Sequence, residues 1–248
     1  MNIDIMQQPE SAIAQVALEG GEEIVTQAGS LIAMKGNFIT HTSMRRGGKV
    51  NSADKQTLKL GNQARPIFLN SFKADEAGGE LYLAPPLIGR LCVYTMNKYK
   101  LIVRLSSYLA SSSSVEIFFG FNDFKREITN PKKKKANRSP KIPSKVTWLN
   151  LYGEGQVVLS AFGNLYPITL EEETEYIVNI ENIVAFENSL KVKILDPSRA
   201  WWQFWLPPSE TLCHFRGTGT IICQTHRPRI FAQKIARFFQ PKDFQLQT

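Results

Sequence analysis

Short apolar runs separated by pairs of small or polar residues set the rhythm of this chain. Ile24-Val25 and Leu31-Ile32 flank the pair Gly29-Ser30. Leu101-Ile102 and Tyr108-Leu109 flank Ser106-Ser107, and Tyr176-Ile177 and Ile183-Val184 flank Glu181-Asn182. Runs this brief, bounded by turn-forming residues, predict short β-strands and are too short for helices. The three stretches align without a gap over 17 positions, 24–40, 101–117 and 176–192, and they place Ala33, Ala110 and Ala185 in register. A second shared element follows each one: Gly79-Glu80-Leu81, Gly155-Gln156-Val157 and Gly219-Thr220-Ile221, with a small residue two positions earlier (Ala77, Gly153, Gly217). These glycines predict a positive φ, a bulge or a close backbone approach where each strand begins. None stands between a strand and a long helix, so no phosphate-binding loop is implied.

A unit of roughly 65 to 75 residues, repeated three times, thus accounts for nearly the whole chain, and the fold class is all-β. The expected division is 1–90, then 91–165 carrying an insert at 126–145, then 166–228, with 229–248 as a C-terminal helix and tail. The helix signal lies at 230–239, where Phe231, Ile235, Phe238 and Phe239 share one face opposite Lys234 and Arg237. At about ten residues it is marginal alone in water, so it is expected to dock on its own chain or a neighbouring subunit.

Composition narrows the class. With 43% apolar and 21% charged residues over 248 positions, the chain reads as a soluble globular protein with a sizeable core. Its longest apolar runs fall far short of the ~18 to 20 residues of a membrane-spanning helix. The opening residues Met1 to Met6 have neither a basic nor an apolar signal region, so no signal peptide is expected. Cys92, Cys213 and Cys223 are odd in number and lack framework spacing, which suits a reducing compartment; a cytoplasmic location is expected.

The net charge of +8 is unevenly spread. Between 126 and 145 stand eight basic residues (Arg126, Lys132, Lys133, Lys134, Lys135, Arg138, Lys141, Lys145) and one acid, Glu127. That reads as one basic connection on a nearly neutral body, rather than a basic folded face.

Taken as a set, Gly29-Ser30-Leu31-Ile32-Ala33-Met34, Gly79 to Pro85, Tyr152 to Gln156, Ile183 to Glu187 and Phe215 to Gly219 resemble a known family. It is the bacterial and mitochondrial group named for altered inheritance of mitochondria, and the resemblance spans 1–228 apart from the basic insert. It implies three tandem TRAP-like repeats, each a short β-sandwich related to the tryptophan-RNA-binding attenuation protein. It also implies a homotrimer, and no established biochemical activity. The basic insert and the run Ser111 to Ser114 depart from the family pattern. The attenuation protein's own ligand-binding residues find no match here, so its activities do not transfer with the fold.

Two signals lie outside the repeat pattern. Lys132, Lys133, Lys134, Lys135, Arg138 and Lys141 are candidate contacts for an acidic partner, either an anionic membrane surface or RNA; the bland alternative is a solvated connection. Trp201, Trp202, Phe204 and Trp205 are candidate subunit-interface residues, since large rigid aromatics favour interface centres. Metal and cofactor chemistry are not expected. Cys213-His214 and Cys223 with His226 would splay to opposite faces of strands, and His41 stands apart in sequence. With no G-x-S-x-G and no serine in triad context, the chain is not expected to be an enzyme. A non-enzymatic oligomeric interaction protein is the leading expectation, a nucleic-acid-binding ring the second, and an enzyme acting at a subunit cleft the third.

Overall fold

Antiparallel pairing organises nearly everything that the computed structural model describes, namely residues 1–7, 11–45, 67–119, 125–126, 146–195, 211–236 and 238. The first stretch supplies β1 (Asn2–Met6), β2 (Ile13–Leu18), β3 (Glu23–Gln27), β4 (Leu31–Arg45) and β5 (Ile67–Leu83). The second supplies β6 (Leu91–Arg104), β7 (Tyr108–Ser112), β8 (Val115–Phe119), β9 (Lys125–Arg126) and β10 (Trp148–Ser160). The third supplies β11 (Leu165–Leu170), β12 (Glu175–Asn179), β13 (Ile183–Glu187), β14 (Lys191–Leu195), β15 (Leu212–Arg216) and β16 (Gly219–Gln224), followed by helix α1 (Pro228–Ala236).

Several strands are much longer than the short apolar runs predicted: β4 has 15 residues, β5 17, β6 14 and β10 13. The reason is visible in β4. Gly36 takes φ +107°, and the ladder to β5 slips between Gly36 and Phe38, so the chain bends without stopping. At the aligned positions the chain turns instead, through Ser113-Ser114 between β7 and β8 and through Asn188-Ser189 between β13 and β14. The predicted turn pairs Ser106-Ser107 and Glu181-Asn182 sit in the 3₁₀ turns Leu105–Ser107 and Ile180–Asn182.

One irregularity recurs in all three stretches. The ladder skips Ile32 between β4 and β5, Leu109 between β7 and β10, and Val184 between β13 and β16, each time the residue before an aligned alanine. At all three glycines that open the second element a Cβ would meet neighbours under 3 Å away; Gly155 and Gly219 also take φ of +145° and +153°, while at Gly79 the neighbours are the Phe38 ring at 2.5 Å and the Lys35 carbonyl oxygen at 2.7 Å.

Among the described residues, the main sheet runs β1-β2-β5-β3-β7-β10-β6-β13-β16-β11, with β4 added on β5 and β8 on β10. A second sheet runs β12-β15-β14-β9. The stretches join edge to edge through β3 with β7 and β6 with β13. Three apolar clusters fill the interior, and each borrows from a neighbour. Leu109 and Val158 enter the first cluster, Ile67, Leu69, Val184 and Ile222 the second, and Ile102 and Trp148 the third. Helix α1 begins with Pro228 at its first position, where a missing N–H costs nothing. None of its residues is buried, and its main aromatic contact sets Phe231 5.0 Å from the Phe162 ring.

Candidate interaction surfaces

Three hairpin-like ladders end in the same way. β4 and β5 part at Arg45 opposite Ile67, β8 and β10 at Phe119 opposite Leu149, and β14 and β15 at Leu195 opposite Leu212. The connections leaving these ends are 46–66, 120–147 and 196–211. The candidate contacts Lys132, Lys133, Lys134, Lys135, Arg138 and Lys141 fall in the second connection, and Trp201, Trp202, Phe204 and Trp205 in the third; all lie outside the described residues. What is described is how the second connection is held. Near its start β9 lies parallel to β14, with Lys125 opposite Lys193, and at its end Val146 packs on the third apolar cluster beside buried Trp148.

Sequence reading singled out one basic stretch and missed another at the equivalent place. The first connection holds Arg46, Lys49, Lys55, Lys59 and Arg65 against the single acid Asp54. Together the two connections carry more positive charge than the whole chain's net +8, so the remainder is slightly acidic rather than neutral. The signal was available in the composition of 46–66, but no run of adjacent lysines drew attention to it.

The second surface is apolar. Leu31, Ile32 and Met34 on β4 are 36%, 56% and 53% exposed, and Tyr176 and Ile177 on β12 are 43% and 47% exposed. On β7 and β13 the positions aligned with 31–34, Tyr108 to Ser111 and Ile183 to Phe186, are fully buried; those aligned with Tyr176 and Ile177 are buried Ile24, Leu101 and Ile102 and half-buried Val25. The same residue pattern therefore lies inside at two places and outside at the ends.

The side chains offered for metal or nucleophilic chemistry serve other ends. Cys213 and Cys223 sit in the third cluster, where burial pushes their thiols up to about 12 and about 11, and Cys92 is likewise raised to about 11. His214, next to Cys213, turns away from the core to place Nε2 2.8 Å from Glu175 Oε2. Nδ1 of His226 lies 2.8 Å from the Thr225 hydroxyl. Among the described residues, no three His, Cys, Asp or Glu side chains gather as a metal would need. A recess beside Ser106, Ser160, Phe162, Gln224 and Pro228 has room for roughly one water. No helix among the described residues is long and apolar enough to cross a membrane.

These features define an all-β protein, built largely on one antiparallel sheet, whose positive charge is concentrated in two of the connections that follow its ladder ends. Within that class, the chain belongs to the family described as mitochondrial biogenesis AIM24, whose model matches residues 3–226. In fold it is similar to the crystal structure of protein SPYM3_0169 from Streptococcus pyogenes, with a TM-score of 0.68 at 17% identity over 96% of this chain and 99% of that one. At that identity the likeness is one of fold. Among curated proteins none matches the chain.

Proposed function

We propose that this protein is a non-enzymatic oligomeric scaffold, three tandem TRAP-like repeats per chain and a homotrimer, that works in the cytoplasm and contacts an anionic membrane surface through its basic connections. The observation that carries this reading is the placement of charge: both basic connections leave equivalent ladder ends, so their charges add when copies assemble. Neither 46–66 nor the lysine-rich part of the second connection, 127–145, contains an aromatic residue; Phe121 and Phe124 precede it. Lysine-rich segments without stacking side chains suit lipid headgroups, at about 1 kcal/mol per basic residue near the surface, better than they suit unpaired bases. The recurring ladder slips before Ala33, Ala110 and Ala185 support the repeat reading. Free buried cysteines are at home in a reducing compartment.

Sedimentation with vesicles containing phosphatidylserine, at low and at physiological salt, tests the partner. Native protein is expected to bind in a salt-sensitive way. Changing Lys132 to Lys135 to serine should weaken binding at least tenfold, and changing Arg46, Lys49, Lys55 and Lys59 as well should abolish it. Binding to single-stranded RNA but not to vesicles would replace this reading with the nucleic-acid one.

A further inference from the structure

Two internal junctions of the chain are built alike. At the first, β3 meets β7 with Ile24 opposite Ser112, Val25 opposite Ser111 and Thr26 opposite Ala110. At the second, β6 meets β13 with Leu101 opposite Glu187, Ile102 opposite Phe186 and Val103 opposite Ala185. The sequence alignment of the three stretches carries the first register onto the second without a slip. Each strand that takes part is paired on both edges: β3 also pairs β5, β7 and β6 also pair β10, and β13 also pairs β16.

At the two ends of the series, among the described residues, each strand pairs on one edge: the first half of β4 aligns with β7 and β13 and pairs β5, and β12 aligns with β3 and the end of β6 and pairs β15. These two open edges are the two halves of one junction. Their apolar side chains are the exposed Leu31, Ile32 and Met34 on one side, whose aligned positions on β7 and β13 are all buried, and Tyr176 and Ile177 on the other, whose aligned positions on β3 and β6 are buried or, at Val25, half-buried. A long apolar edge left bare is a template for another strand.

From this geometry we infer that β12 of one copy pairs antiparallel with β4 of a second copy, with Tyr176 opposite Lys35, Ile177 opposite Met34 and Val178 opposite Ala33. The inference rests on the oligomeric reading above and gives it a specific contact. The contact is head-to-tail: it uses two different surfaces and leaves each added copy with the same pair of edges, so it closes into a ring or continues as a filament.

Directly opposed residues on antiparallel strands have Cα atoms about 4.5 to 5.5 Å apart, within reach of a disulfide. Met34→Cys and Ile177→Cys are therefore made as single variants, and each is oxidised alone and after co-expression of the two. Both positions are exposed in the single chain, so neither change disturbs its fold. Co-expressed chains should yield at least tenfold more cross-linked dimer than either variant alone. Ile177→Lys should reduce the particle seen by light scattering to a single 28.0 kDa chain with an unchanged β circular-dichroism spectrum. A native particle of 28.0 kDa would overturn both this contact and the oligomeric reading. A larger native particle in which Met34→Cys cross-links to itself, or in which the mixture does not cross-link, would overturn the contact alone.

Discussion

The closed strand edges on β7 and β13 and the open edge on β4 carry one apolar pattern in two environments. Leu109 and Val184 are fully buried, while Ile32, aligned with both, is more than half exposed. Apolar identity at these positions thus follows the alignment of the three stretches and not the burial seen in one chain. The two closed junctions also differ from each other. At the first, the Tyr108 hydroxyl donates to the Val25 carbonyl at 3.1 Å and shares a 2.9 Å bond with Ser111. At the second, Arg104 donates from Nε to the Ile183 carbonyl at 2.7 Å and from a terminal nitrogen to that of Ile180, with its guanidinium 5.6 Å from the Trp148 ring. Burial lowers Arg104 to about 10, against the pull of nearby Glu181, so it is still charged at neutral pH.

The largest contrast is expected from truncating aligned positions. Leu109→Ala removes a fully buried side chain and should destabilise the chain by about 3 kcal/mol in urea unfolding. Ile32→Ala, measured at concentrations where copies are separate, should stay within about 0.5 kcal/mol of native. Equal losses at the two positions in separated chains would mean that β4 is covered from within.

Next in size are the polar ties of the two junctions. Arg104→Ala strips charge-assisted donors from two carbonyls and a long stem from the core, and should cost about 2 kcal/mol. Tyr108→Phe keeps the ring and removes one donor, for about 1 kcal/mol. The reverse order in thermal or urea unfolding would show that the first junction, not the second, depends on its polar contact.

The sequence carried the rhythm of strands and turns because pairing in an antiparallel sheet is local and periodic: the aligned alanines, the glycines before Glu80, Gln156 and Thr220, and the helix near Phe231 were all legible. It did not carry strand length. Nothing in the pair Gly36-Asn37 distinguishes a bend from the turn at Ser113-Ser114, since the outcome depends on a ladder partner some forty residues away, a separation on the scale that sets non-local pairing. The partners of Arg104 lie 76 and 79 residues on, and no local pattern reports them. Open edges are invisible for the same reason: Ile32 and Tyr176 look like core residues until the strands are laid side by side. Of the site residues named from sequence, the lysine run and the tryptophan cluster lie outside the described residues, while the apolar surface that is described went unnamed.

The smallest expected effect concerns the open edge of β12 and its pH dependence. Glu175 stands at the start of that strand, where Nε2 of His214 lies 2.8 Å from Oε2 and Nε of Arg216 2.5 Å from Oε1. Partial burial would raise this carboxyl, but the hydrogen bonds to His214 and Arg216 outweigh it and hold the group below the usual carboxylate range. A carboxylate depressed in the folded state adds stability that is fully present above its unfolded value and is lost as pH falls through the folded one. Acidification below the ordinary carboxylate value of 4.5 should therefore loosen the β12–β15 ladder first at Glu175 opposite Arg216. Amide-exchange protection factors for 175–179, followed from neutral pH downward, should fall ahead of those for β3, whose outer edge is closed by β7. Glu175→Gln should lower protection at neutral pH and remove its acid dependence. If β3 and β12 lose protection together in both proteins, the acid response belongs to the whole sheet and not to the open edge.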